Sequence, residues 1–574
     1  MNPSQAIYTE KNNCQDCYKC VRHCPVKAIK IESHSASIIY EQCIFCGKCS
    51  IVCPVGAKKV RNDTSAVKFL LKGKKKVILS LAPSWVNEFE GYTGSGLIAA
   101  LKALGFYGVS ETALGAEVVS KNISLWLKEK KPGPSVSGCC PVVVELIKKY
   151  YPNLIQYISP FLSPMETHGL MLKEYYGEDT MVVFAGPCIA KKNELMEENN
   201  HIDVAITFQE LQKWFNEEGF IPDFFNNNDA VDFIPELAGD STLYPIDGGM
   251  IKTIKKQATV TDEVFMSFSG MNQVRAILDD FEKLKNDNVF LELLSCEGGC
   301  VNGPAVVSAS SPVKKRLDII KTGREETDTG QRDFEIENRF AFSSNLSKCK
   351  EVYSEQEIME ALRTVGKTSS RDELNCGGCG YNSCRDFAIS MIEGKAERQM
   401  CVSYMRRVAQ NKASVLLQKI PYGVVMIDEN GKIIESNNAF AELLGPEGPE
   451  LFNARPGLEG ALIGKLVSFS RLFETVINTG AESIEKDVYL NGRLMQISVF
   501  TIQKHKIVCG IIHDLERSAM QKDALVSRLK SVIAENMATA QKAAFLLGEN
   551  VSQTETMLNS VITLLESGDH EKKY

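Results

Sequence analysis

The sequence predicts a multidomain chain with five parts in order. They are a short front module built on a repeated cysteine pattern, an α/β domain with further cysteines, a small third cysteine module, an α+β domain on an antiparallel sheet, and a helical tail. Three observations predict this. The 574 residues allow three to five domains at roughly 150 residues each. The 19 cysteines fall mostly in tight clusters. The apolar pattern changes along the chain, from short buried runs to alternating strands to a four-three helical spacing.

Composition sets the frame. Hydrophobic residues make up 44% and charged residues 24%, the balance of a globular protein without bulk disorder. A net charge of −7, from 65 basic and 72 acidic residues, argues against a general nucleic-acid binder. No run approaches the ~18 uninterrupted apolar residues of a membrane span. Met1 to Tyr8 is polar and lacks a secretory apolar region, so a cytoplasmic location is expected. In a reducing cytosol this many cysteines are metal ligands or reactive thiols rather than disulfides.

The front module spans 1–65. Cys14-x2-Cys17-x2-Cys20-x3-Cys24-Pro25 is repeated without change as Cys43-x2-Cys46-x2-Cys49-x3-Cys53-Pro54. Three thiolates on one tight loop hold three irons of a cubane, and the fourth cysteine of each run reaches across to the other cluster. One [4Fe–4S] cluster is therefore assigned to Cys14, Cys17, Cys20 and Cys53, the other to Cys43, Cys46, Cys49 and Cys24. Zinc is the competing reading. The pattern resembles the bacterial two-cluster ferredoxins and implies one-electron transfer.

The second part spans 75–345. Val77–Leu81, Met181–Ala185 and Val289–Leu294 are short, apolar and bounded by polar residues or glycine and proline, as buried parallel strands are. Gly303 to Arg339 is charged and turn-rich and reads as a surface excursion. Three separated segments carry unusual cysteines: Ser137-Gly138-Cys139-Cys140-Pro141, Gly186-Pro187-Cys188-Ile189-Ala190-Lys191-Lys192, and Glu292 to Gly303 with Cys296 and Cys300. The last two follow expected strands, where open α/β sheets place their ligands. Cys140, Cys188, Cys296 and Cys300 are expected to close round one cubane.

These three segments resemble the signature motifs of the [FeFe]-hydrogenases (iron-only hydrogenases). Ala82-Pro83-Ser84, Ser159 to Pro164 and Gly248-Gly249 match as well. The resemblance implies an iron-only hydrogenase domain holding an H-cluster, a [4Fe–4S] cubane bridged to a di-iron unit with CO, cyanide and azadithiolate ligands. It implies that Cys300 is shared between cubane and di-iron unit. Lys191 would donate to an iron-bound cyanide, Cys139 would pass protons beside the bridgehead amine, and Ser84 and Ser159 would contact the cofactor. The reaction implied is reversible heterolysis of hydrogen. Several positions depart from the family pattern: Val142-Val143 for Gly-Trp, Gly186 and Leu294 for Met, and Met165 for Gln. Val118 to Trp126, where catalytic members carry two glutamates, has no carboxylate. Slow proton exchange beyond Cys139 is the expectation.

The third part, 350–410, holds Cys376-x2-Cys379-x4-Cys384-x16-Cys401. It resembles the small [4Fe–4S] domain of corrinoid iron–sulfur proteins, which makes three accessory [4Fe–4S] clusters in all. Cys349 and Cys509 are read as ordinary thiols. Residues 413–515 contain strand-like Gly423–Ile427 and Lys432–Glu435 about an Asn430-Gly431 turn, a second turn at Asn491-Gly492, alternating Met495, Ile497 and Val499, and Ile507–Ile512. They resemble a PAS domain, with Ser436-Asn437-Asn438-Ala439-Phe440 as the most recognisable stretch. His505 and His513 are surface or strand-end histidines with a haem-ligand alternative. The tail, 516–570, repeats apolar or small residues from Ile533 to Leu565 at heptad spacing. It reads as a coiled coil or bundle between protomers, or as a helix packed on its own domain. No histidine lies in the seam and His570 falls past it, so no kinase is encoded.

The leading expectation is a hydrogen or redox sensor. It would split hydrogen with low turnover and relay its state through the clusters and a PAS homodimer to a signalling protein. A catalytic, ferredoxin-linked hydrogenase with a regulatory PAS domain is the second reading. A non-catalytic iron–sulfur switch without the di-iron unit is the third.

Overall fold

The structure is a computed structural model and describes residues 5–196, 200–226, 232–257, 263–322, 336, 338–343, 353–490 and 493–514. It divides into two compact units, Met1–Glu355 and Gln356–Tyr574. The Asn491-Gly492 turn, Cys349, and the 516–570 tail with its seam and His570 lie outside the described residues. No helix among the described residues is long and apolar enough to cross a membrane.

At the front of the first unit, strands Ile7–Thr9 and Lys58–Val60 pair antiparallel, and Ile29–Glu32 pairs with Ser35–Ile38. The sequence repeat is also a repeat of backbone dihedrals. Asp16 and Phe45 have φ of 55° and 56°, and Tyr18 and Gly47 have φ of 56° and 71°. Left-handed backbone costs a non-glycine residue about 1–2 kcal/mol, so these loops wrap sulfur at some expense. Backbone N–H groups donate to the sulfurs, among them Ala28 to Cys24 (3.3 Å), Ala57 to Cys53 (3.2 Å), Phe45 to Cys43 (3.4 Å) and Ala36 to Cys14 (3.5 Å).

The α/β part holds two parallel sheets. One has four strands in the order Gly108–Glu111, Val77–Leu81, Met181–Gly186, Val204–Thr207. The other has three, in the order Val264–Ser269, Val289–Leu294, Ser135–Val136. Val77–Leu81 and Val289–Leu294 are buried at every position, as strands covered on both faces must be. Ala82-Pro83-Ser84 and all three cysteine segments leave the C-terminal ends of these strands, so both sheets aim their loops at one place. The expected surface excursion after Gly303 is instead partly structured. Helix Pro312–Thr322 buries Lys315 and Ile319, and Asn338 is buried against Asn122 and Thr167. Its apolar positions are too few to stand out among the charges.

The second unit carries the third cysteine set on short helices, including Cys384–Ile392, followed by the long helix Val402–Lys419. Then comes a five-stranded antiparallel sheet in the order Ile433–Ser436, Gly423–Asp428, Ile507–Asp514, Arg493–Gln503, Ser483–Leu490. Alternation splits its faces. Val425, Ile427, Ile497 and Val499 meet the helices, while Val424, Met426, Phe500 and Cys509 face Leu417 and Ile420. Asn437 is fully buried; its Nδ2 donates to Tyr422 O (2.7 Å) and Leu417 O (2.9 Å), and its Oδ1 accepts from Val424 N and Phe440 N (both 2.9 Å).

Candidate metal centre

Cys140, Cys188, Cys296 and Cys300 line one cavity, together with Cys139, Lys191 and Ser84. The cavity bounds about 940 Å³ of space free of protein atoms, mouth included. Each cysteine is delivered by a different piece of local structure. Cys140 caps the helix Pro141–Tyr150, so that helix's unpaired N–H groups and dipole face its sulfur. Cys188 follows Met181–Gly186 and takes N–H bonds from Ala190 and Lys191. Cys296 and Cys300 sit on a glycine turn where no side chain fits: a Cβ on Gly299 would lie 2.3 Å from Pro245 O, and Gly299 has φ of 105°.

The electrostatics of the set define what it can hold. Burial pushes all four thiols up, Cys188 to about 11, and their mutual negative charge adds to this for Cys188, Cys296 and Cys300. Four thiolates in a dry cavity demand positive charge among them. The four sulfurs line one cavity rather than a closed pair of loops, and a space of this size fits a cluster. A further orphan supports the fit: the Ser84 Oγ is buried with no partner in the protein.

Lys191 is buried, and its Nζ donates to Ser163 Oγ (2.8 Å) and Glu194 Oε2 (2.6 Å). Burial alone would lower its ammonium; the Glu194 carboxylate outweighs that and holds it above the usual lysine value. An ammonium has three donors, so one remains beyond these two. Ser159 is not among the cavity's lining residues. Its Oγ accepts from Gly138 N (3.1 Å), which fixes the loop of the first motif. Three departures from the family pattern, Val142, Met165 and Leu294, line the cavity. The fourth is compensated: a Cβ on Gly186 would lie 2.5 Å from the Phe184 ring, which fills the space.

The structure brings to the cavity of the first motif a carboxylate that the sequence did not single out. Glu292 lines the same cavity and its charge bears on the Cys139 thiol, which burial pushes up to about 12. Burial also raises the Glu292 carboxyl to about 7, although it accepts N–H bonds from Gly248 (2.9 Å) and Met250 (3.2 Å). Tyr244 lies alongside, its hydroxyl 2.7 Å from Ser120 Oγ. The signal was present in the sequence: Glu292 is the one charge in the apolar run Val289–Leu294, a strand buried on both faces.

The front module reaches this centre directly. A Cβ on Gly47 would lie 2.5 Å from Pro304 and 2.7 Å from Ile189, and Cys46 is close enough to act electrostatically on Cys296. Lys149 clamps the same loop through Cys43 O (2.7 Å). In the second unit Cys376, Cys379, Cys384 and Cys401 also come together, burial and mutual charge pushing Cys379 up to about 11. His505 is tied by a ring nitrogen to Ile477 O (2.8 Å), and His513 packs edge-on against Tyr422.

Residues 75–304 match the family model of the iron-only hydrogenase large subunit, C-terminal domain. Residues 6–64 match a 4Fe–4S dicluster domain, and 372–403 a putative Fe–S cluster domain. The chain is 25% identical over 303 residues to iron hydrogenase 1 of Clostridium pasteurianum, covering 43% of this chain and 53% of that one. It is 28% identical over 382 residues to the periplasmic [Fe] hydrogenase large subunit of Nitratidesulfovibrio vulgaris, covering 54% and 90%. To a cytosolic Fe–S cluster assembly factor of Danio rerio it is 23% identical over 302 residues, covering 42% and 74%. The chain thus spans about half the length of the Clostridium relative. Residues 75–304, which enclose the cysteine cavity, thus form a domain of the iron-only hydrogenase large-subunit type.

Proposed function

We propose that this [FeFe]-hydrogenase-like iron–sulfur protein is a cytoplasmic hydrogen or redox sensor with an H-cluster in the cysteine cavity. The observation that carries the reading is the meeting of Cys140, Cys188, Cys296 and Cys300 with Lys191 and Cys139 round one buried space. When bound, the H-cluster supplies an open iron and a nearby amine base for heterolytic cleavage of hydrogen. Cys140, Cys188, Cys296 and Cys300 would hold its cubane. The remaining Lys191 donor and the orphaned Ser84 hydroxyl orient its polar ligands.

The chain's own groups move the proton. The Cys139 thiol passes it to the Glu292 carboxyl, whose affinity near neutrality lets it both accept and release. The Tyr244 and Ser120 hydroxyls continue the route. Cys43, Cys46, Cys49 and Cys24 would hold a cluster that supplies electron transfer, on a loop that presses on Ile189 and Pro304. The five-stranded domain acts as a PAS module, supported by its sheet order and by the Asn437 bonds that tie its first strand to its first helix. With the tail it forms a homodimer that hands the state to a signalling protein.

The apolar cavity wall made by Val142, Met165 and Leu294, and the missing carboxylates of Val118–Trp126, favour sensing over rapid turnover. Retention of Cys139 with Glu292 beside it favours a second reading, a catalytic ferredoxin-linked hydrogenase. Infrared spectra of the matured protein under hydrogen and under inert gas test the proposal. Bands of iron-bound CO and cyanide that shift under hydrogen, with low steady-state turnover, support it. High turnover moves the balance to catalysis. A cavity holding a cubane alone leaves an iron–sulfur switch.

A further inference from the structure

A second cavity, of about 600 Å³ with its mouth included, adjoins the cysteine cavity. The two share Pro141 and are divided by the segments Ser163–Met165 and Ala190–Lys191, whose residues face one or the other. Three carboxylates line the second cavity: Glu145, Glu166 and Glu194. Glu145 is paired with Lys149 (2.7 Å) and Lys148 (3.5 Å), and Glu194 with Lys191 (2.6 Å). Glu166 is different. It is 4% exposed; its Oε2 accepts from His201 N (2.8 Å), and its Oε1 has no partner.

The cations that face Glu166 are committed elsewhere. Lys191 is bound to Ser163 and Glu194, and Lys173, on the same helix as Glu166, is paired with Asp203 (3.4 Å). With Glu166 ionised, Glu166, Glu194 and Lys191 carry one negative charge in excess in a buried place. Such a charge is costly, and a carboxyl resolves it by taking a proton. We propose that Glu166 is an acid–base site, filled by solvent protons through the second cavity and coupled through Glu194 and Lys191 to the charge in the cysteine cavity.

The inference rests on a cluster occupying the cysteine cavity. Lys191 lines that cavity while holding Glu194, so it feels charge on both sides of the dividing wall. An electron that arrives among the cysteines from the front-module clusters draws the Lys191 charge toward itself, and the carboxylates lose part of their compensation. Glu166 Oε1 then binds one proton from water, which leaves hydroxide in the bulk. Above about pH 8, where Glu166 is ionised before the electron arrives, one electron and one proton enter together, and both leave on oxidation. Before any electron arrives, burial and then the Glu194 charge already hold the Glu166 carboxyl up to about 8.

The test uses the full-length protein with its clusters. Infrared difference spectra in water and deuterium oxide follow the protonated carboxyl against pH. Redox titration with paramagnetic resonance gives the midpoint potential of the cavity's cluster at each pH. The carboxyl band is expected to vanish as pH rises through about 8, and the potential to fall as pH rises beyond it. Both are lost in Glu166→Gln. In Glu194→Gln the break moves to lower pH because a like charge is gone, which a merely structural Glu166 would not produce. Persistence of the band and the slope in Glu166→Gln overturns the proposal, as does the absence of any band that this variant removes. The band is readable without a cavity cluster. A missing cluster signal beside a retained Glu166 band therefore overturns the proposed function and supports the acid–base site.

Discussion

Gly47 and Pro304 meet so closely that a Cβ on Gly47 would lie 2.5 Å from the Pro304 Cβ. One residue belongs to the loop of Cys43, Cys46 and Cys49, the other to the turn after Cys300. Gly47 also has φ of 71°, which an L side chain adopts at a cost. Gly47→Ala is expected to lower stability by about 1–3 kcal/mol through overpacking and strain. It should also slow reduction of the cavity's cluster. Denaturant midpoints and stopped-flow reduction check the two effects separately.

Glu292 gives a pH signature. Its carboxyl stands at about 7 in the fold rather than at its ordinary 4.5, so the folded protein keeps a proton that the unfolded chain releases. Its contribution to stability is present below the unfolded value, falls as pH rises toward about 7, and stays lost above that. Glu292→Gln removes this fall. In metal-free protein the stability difference between variant and wild type should change by up to about 3 kcal/mol between about pH 5 and about pH 8. Urea titrations at the two pH values measure it.

Cys139→Ala should leave iron content unchanged, since Cys139 is outside the ligand set. It should lower hydrogen/deuterium exchange of the matured protein by about 10²–10⁴-fold, the range lost with a positioned acid–base group. Mass spectrometry of the exchanged gas measures this.

How much of this was legible in the sequence depended on whether the signal was local. The cysteine spacings, and the apolar runs Val77–Leu81 and Val289–Leu294, are complete within a few residues, and each appears in the structure where it was expected. That these strands belong to two different sheets was not legible, because Ser135–Val136 is too short to read as a strand without its partner Val289–Leu294. Strand Ser483–Leu490 was also missed: Glu485-Lys486-Asp487 interrupts its alternation, as suits an edge strand with exposed charges. Glu292 and Glu166 stand in plain view in the sequence, but their roles depend on what lies across a cavity from them.

Asn437 ties the first strand and first helix of the five-stranded domain by four hydrogen bonds at 2.7–2.9 Å. Asn437→Ala leaves buried backbone groups unpaired and removes a helix cap. A loss of about 2–4 kcal/mol is expected, read as a lower melting temperature of the transition followed by far-ultraviolet dichroism.

Anomalous diffraction at the iron edge, from crystals of the matured protein, tests most directly whether the four separated cysteines enclose one cluster site. Iron density for a cubane bounded by Cys140, Cys188, Cys296 and Cys300, with a di-iron unit against Cys300, is the result the account requires. A single metal ion among those sulfurs, or an iron-free cavity beside intact front-module clusters, would contradict it.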